Sequence, residues 1–136
     1  MVKITEDYVS FEVAKLLKER GFDESCYQKY DNEGYLSFNH VGYINSDKLC
    51  DDFYALAPTL QMAMKWLREI YNIDICIIPS EVGAGVMDYT YVLYKIYTED
   101  FYFEDLGIQG RANNISKISY EGAAEAAIKY CLENLI

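Results

Sequence analysis

The chain has 136 residues, of which 51% are hydrophobic, and a formal net charge of −10. A chain of this length is typical of one domain, and we expect a single domain over residues 1–136. The hydrophobic content excludes a disordered protein. The acidic balance, with no segment rich in lysine and arginine, argues against direct binding to nucleic acid and against adhesion to an anionic membrane.

Four cysteines are scattered along the chain without C-x-x-C spacing: Cys26, Cys50, Cys76 and Cys131. The segment Met1–Asp7 lacks the apolar core of a signal peptide, and no apolar run reaches the length of a membrane span. We therefore expect a cytoplasmic protein with four free thiols.

Three amphipathic segments predict helices. The first is expected to begin at an N-cap, Thr5, and to end at Gly21. The second covers 57–72, where apolar residues share one face, and the third begins at Ser119 and carries an alanine-rich buried stripe.

The segments between the helices predict short strands, loops and turns. In chain order we expect a loop over 23–34, a hairpin of 35–38 with 41–44, a helical turn over 47–52, an extended segment 53–57, strand 73–78, a loop over 79–88, strand 89–97, a short strand 101–103 and a loop over 107–114. This order predicts an α+β fold, in which about three helices pack mainly on one face of a small antiparallel sheet.

Residues with potential chemistry are few. His40 is the only histidine, and a nucleophilic pair would need Cys26 or Cys50 beside it. An ordinary structural or exposed histidine is the stronger interpretation. Zinc and calcium spacings are missing, and Gly83 and Gly85 do not form a phosphate loop. We therefore expect no catalytic residues, no metal ligands and no cofactor.

The most suggestive surface candidate lies in residues 97–106, which contain four acids, large apolar or aromatic side chains and no lysine or arginine. If exposed, this segment would suit a basic partner, because aromatics supply contact area and acids steer the encounter. The alternative is an edge strand with buried aromatics and solvated acids. The candidate interaction residues are Tyr89, Tyr91, Tyr97, Glu99, Asp100, Phe101, Tyr102, Phe103, Glu104 and Asp105.

A resemblance rests on residues 14–24 together with Cys26, on 57–59 followed by 65–69, and on the ending 124–136. In these segments the chain resembles small uncharacterised proteins encoded by prophages and other mobile elements of gut anaerobic bacteria. Residues 80–118 carry no part of the likeness. That family has no assigned activity, so the resemblance implies a mobile-element context and no catalytic residues.

The favoured hypothesis is a non-enzymatic accessory protein of a mobile element that acts through contact with a protein partner or through self-association. One alternative is an acidic DNA mimic that occupies a host nucleic-acid-binding protein. Another is a small ligand-binding protein or enzyme with a pocket near His40 and Cys26.

Overall fold

The computed structural model describes residues 3–38, 42–46, 49, 52–81, 85, 87–100, 102–110 and 119–136. Within them the fold is α+β, as expected. Its elements are α1 (Phe11–Glu19), β1 (Gln28–Asp31), β2 (Leu36–Phe38), β3 (Phe53–Leu56), α2 (Leu60–Tyr71), β4 (Ile73–Glu81), β5 (Met87–Tyr97), β6 (Tyr102–Gly110) and α3 (Tyr120–Asn134). The chain divides into two compact units, Met1–Gln61 and Met62–Ile136. The expectation of a single domain stays a prediction.

The strands form two sheets, where the sequence predicted one. Each sheet is antiparallel and three-stranded, with strand order β2-β1-β3 in the first unit and β4-β5-β6 in the second. Both are built around a hairpin, β1–β2 and β4–β5, to which a third strand is added.

The first helix begins six residues after the expected N-cap at Thr5. Ser10 is the N-cap instead, and its hydroxyl accepts a hydrogen bond from the Val13 amide at 3.2 Å. The preceding residues are extended because their backbone pairs elsewhere: the Val9 amide donates to the Pro58 carbonyl at 3.0 Å. The prediction at Thr5 was wrong because this long-range pairing outweighs local capping propensity.

The first hairpin lies earlier in the sequence than predicted. β1 occupies part of the segment expected to be a loop, and the turn after Asp31 connects it to β2. The Asp31 carboxylate fixes that turn by accepting hydrogen bonds from the amides of Glu33 at 2.8 Å and Tyr35 at 2.9 Å. Asn39 and His40, which would connect the two strands of the predicted hairpin 35–38 with 41–44, lie outside the described residues, as does most of the helical turn over 47–52.

The core of the first unit forms where α1 packs on β3. The Phe11 ring contacts the rings of Tyr30 and Tyr54 at centroid distances of 5.4 and 5.9 Å. The buried Tyr30 hydroxyl donates to the Val9 carbonyl at 2.5 Å, which pairs a backbone oxygen that burial would otherwise leave unsatisfied.

The second sheet is longer than the sequence pattern predicted. β4 continues through Pro79, which an edge strand tolerates because one side of its backbone needs no ladder partner. β6 covers nine residues, including part of the expected loop over 107–114. Its pairing with β5 shifts register between Val92 and Tyr94, opposite Gly107 at φ 68°. Such a bulge lets pairing continue past an irregular point, which a pattern of alternation does not reveal.

The third helix covers one face of the second sheet. Its predicted N-cap is confirmed, because the Ser119 hydroxyl accepts a hydrogen bond from the Gly122 amide at 3.0 Å. The helix packs against β4 and β5, and its buried alanines allow a close approach. The Tyr91 ring lies 6.4 Å from that of Tyr130 on α3. Because side chains alternate along a strand, Tyr94 and Ile96 belong to the opposite face.

Candidate functional site

A groove lies at the end of the β5–β6 hairpin, on the second unit. Its volume is about 660 Å³, and its lining is mostly apolar and aromatic. The lining residues are Asp74, Tyr94, Ile96, Tyr97, Thr98, Tyr102 and Phe103. The volume falls within the range of small-molecule and cofactor pockets, roughly 300–1,000 Å³.

Two pairs of aromatic rings shape the groove. The rings of Tyr94 and Phe103 meet edge to face, with centroids 5.7 Å apart and an interplanar angle of 78°. The rings of Tyr97 and Tyr102, at the hairpin end, are 5.6 Å apart and tilted by 33°. Phe103 is 65% exposed and Tyr102 is 57% exposed. These rings therefore offer apolar area to a binding partner without any rearrangement of the core.

Acidic side chains border this aromatic surface. Glu99, Asp100, Glu104 and Asp105 are all exposed. The Tyr97 hydroxyl donates a hydrogen bond to the Glu104 carboxylate at 3.0 Å, and this bond raises the pKa of Tyr97 above its ordinary value. This hydrogen bond connects Glu104 to Tyr97, which lines the groove.

The structure places some of the candidate residues at the groove and others away from it. Tyr97, Tyr102 and Phe103 line the groove, and the four acids of the segment are exposed beside it. Phe101 lies outside the described residues. In contrast, Tyr91 is only 6% exposed and is covered by α3, and the half-buried Tyr89 contacts the α3 ring of Tyr120 at 5.9 Å. In this structure Tyr91 offers no surface to a partner.

Four lining residues were not among the predicted candidates: Asp74, Tyr94, Ile96 and Thr98. Alternation along β5 places Tyr94 and Ile96 on one face, so a signal existed in the sequence. Alternation could not say which face of β5 the last helix would cover, because both faces are largely apolar.

A second exposed aromatic cluster lies on the first unit. The Tyr27 ring contacts those of Phe38 and Tyr43 at centroid distances of 5.6 and 5.3 Å, and all three residues are exposed. The adjoining β1 residue Lys29 places its ammonium 3.8 Å from the Phe53 ring centroid. The groove differs from this cluster in that it adjoins the four exposed acids of residues 97–106.

The alternative site near Cys26 gains no support from the described residues. Its presumed partner His40, and also Cys50, lie outside them. The Cys26 thiol is buried and donates to the Glu24 carbonyl at 3.3 Å, and burial raises its pKa to about 12. A thiol held protonated in this way is a poor nucleophile.

Within the described residues, no three side chains of histidine, cysteine, aspartate or glutamate are placed to bind one metal ion. No helix in the same part of the chain is long and apolar enough to cross a membrane.

Comparison with protein-family models, with curated proteins and with solved structures finds no match for this chain.

Proposed function

We propose that this chain is a non-enzymatic accessory protein of a mobile genetic element, which works in the cytoplasm by binding a basic, partly apolar segment of a protein partner. The groove beside the β5–β6 hairpin is the docking site. The observation that carries the proposal is an exposed aromatic groove that adjoins residues 97–106, a segment with four acids and no lysine or arginine.

The packing of α3 supports this assignment. A helix covers the Tyr91 face of the second sheet, and Tyr94, Ile96 and Phe103 of the opposite face line the groove. We infer that helix packing on one face of this sheet is what leaves Tyr94 and Phe103 available. Aromatic anchors in a concave site supply most of the binding energy in typical protein interfaces.

The negative charge of residues 97–106 and of the whole chain favours a basic partner. Residues 97–106 carry four acids, and the whole chain has a net charge of −10. A basic segment would be drawn to this border and held by it, and the apolar groove would bury its hydrophobic side chains. A second copy of this chain would bring the same acids against one another, so self-association through the groove is disfavoured.

We do not propose a catalytic function for the groove. Among the described lining residues there is one carboxylate, on Asp74, and no histidine, cysteine or serine. That carboxylate is in ionic contact with Arg68, at 3.8 Å. Such a set of groups suits recognition better than nucleophilic or acid–base catalysis.

The test is selection of binding peptides from a random display library against the purified full-length protein, with the Phe103→Ala variant used for counter-selection. We expect the enriched peptides to combine basic and apolar residues and to bind the wild-type protein only. Light scattering reports the oligomeric state in parallel. Enrichment of acidic peptides, enrichment that ignores the Phe103 change, or a dimer that buries the groove would overturn the proposal.

A further inference from the structure

Three residues on the groove side of the second sheet form a row across its strands. Tyr94 on β5 pairs directly with Asp74 on β4 and with Asp105 on β6. Directly paired residues in an antiparallel sheet point to the same face, with Cα atoms roughly 4.5–5.5 Å apart. The Tyr94 side chain therefore stands between two carboxylates.

The neighbouring row adds a second ring. Phe103 pairs with Ile96, one step along the same face, and its ring meets that of Tyr94 nearly at a right angle. Two rings in this arrangement make a corner with an exposed aromatic face, since Phe103 is largely open to solvent. The face of an aromatic ring is electron-rich and attracts cations.

The carboxylates of Asp74 and Asp105 can each accept further hydrogen bonds from a ligand. The closest approach of Asp74 to Arg68 is 3.8 Å, which is an ion pair but is too long for a hydrogen bond. One oxygen of Asp105 accepts a hydrogen bond from the Gly107 amide at 2.8 Å. A carboxylate can accept about four hydrogen bonds in all, so each of these groups can receive more.

From this geometry we propose that the groove recognises an arginine side chain of the partner. The guanidinium stacks on the corner formed by Tyr94 and Phe103 and donates hydrogen bonds to Asp74, which lines the groove, while the exposed Asp105 on the other side of Tyr94 adds negative charge. This inference rests on the proposed function and specifies the residue that the docking site takes.

Arginine fits this site better than lysine does. A guanidinium is planar and weakly hydrated, so it stacks on a ring and still donates a fork of hydrogen bonds to carboxylates. The lysine ammonium is a compact, strongly hydrated charge that gains less from an aromatic wall.

The test is a titration of the isotope-labelled full-length protein, followed by NMR, with three peptides: acetyl-Leu-Arg-Leu-amide and its lysine and citrulline counterparts. Citrulline has the shape of arginine without the charge. We expect saturable shifts centred on Tyr94 and Phe103 with the arginine peptide, and about tenfold weaker binding of the citrulline peptide.

Two variants distinguish the contribution of the Asp74 carboxylate to binding from that of its ion-pair partner, Arg68. Asp74→Asn is expected to weaken binding of the arginine peptide several-fold and to leave binding of the citrulline peptide unchanged. Arg68→Gln is the matched control, because it removes the other half of the ion pair, and it is expected to preserve or strengthen binding of the arginine peptide. Asp74 and Arg68 are both about 40% exposed, so neither change endangers folding.

The outcomes distinguish this inference from the docking function. Equal binding of the arginine and citrulline peptides, stronger binding of the lysine peptide, or the lack of any groove shift with the arginine peptide would overturn the inference. If display selection yields basic peptides that depend on Phe103 but contain no arginine, the docking function stands and the arginine site does not. If selection yields no peptide that depends on Phe103, the docking function itself fails.

Discussion

Replacement of Phe103 by alanine is expected to weaken peptide binding more than it lowers the stability of the fold. Full burial of a phenylalanine side chain is worth about 1.5–3 kcal/mol. Phe103 is 65% exposed, so about one third of that value, roughly 0.5–1 kcal/mol, is lost in the alanine variant. The expected cost in unfolding free energy is therefore small, because most of the ring contributes nothing to the core.

The expected cost in binding is larger. If the ring is an anchor for the partner, its loss should weaken binding of a selected peptide at least about tenfold, or roughly 1.4 kcal/mol. Denaturant unfolding gives the stability of the variant, and calorimetric titration with the selected peptide gives its affinity. A variant that loses stability as expected but binds with unchanged affinity would refute the assignment of the groove.

Phe38 provides a matched control. It is 58% exposed, and its ring makes an edge-to-face contact with that of Tyr27, at 5.6 Å. The Phe38→Ala variant should therefore lose a similar free energy of unfolding, about 0.5–1 kcal/mol, and keep full affinity for the peptide. Loss of binding in this variant, with binding kept in the Phe103 variant, would move the docking surface to the aromatic cluster of the first unit.

Four further predictions test the fold around the groove. Ser119→Ala should cost about 1 kcal/mol in denaturant unfolding, because α3 loses the side chain that caps its first turn; a cost near zero would contradict that role. Gly110→Ala should cost about 1–3 kcal/mol in the same assay, because its methyl carbon would lie 2.7 Å from the hydroxyl of the buried tyrosine that α3 covers; an unchanged midpoint would show that this ring can move. In a Cys50→Ser background, Cys76 should react rapidly with a thiol reagent and Cys131 only on unfolding. Burial raises the pKa of Cys131 from 9.0 to about 12, so the stability that its protonated thiol contributes should be complete below pH 9 and be lost between pH 9 and 12; rapid reaction of Cys131 at neutral pH would contradict its burial.

Local patterns in the sequence predicted the helices of the second unit well. The cap at Ser119 and the alanine stripe of α3 follow from capping chemistry and helical periodicity, which act over a few residues. The start of α1 could not be found in this way. Residues before Phe11 pair with the backbone near Pro58, and such pairing between distant segments leaves no local signal.

The groove was predictable in part. The mixture of acids and aromatics in 97–106 indicated a surface for a basic partner, and three of its aromatic residues line the groove. The contribution of Asp74 could not be inferred, because it depends on the pairing register of β4 with β5. Register is a property of the folded sheet, and a strand with two apolar faces does not reveal which one a helix will cover.

The tyrosines themselves provide the most direct test of the docking groove. The chain has 14 tyrosines; Tyr94, Tyr97 and Tyr102 line the groove, and Tyr27 and Tyr43 mark the exposed cluster of the first unit. With carbon-13 in the tyrosine rings and signals assigned by Tyr→Phe variants, a selected basic peptide should shift the three groove signals and leave the two others unchanged. Shifts confined to the signals of Tyr27 and Tyr43 would contradict the account.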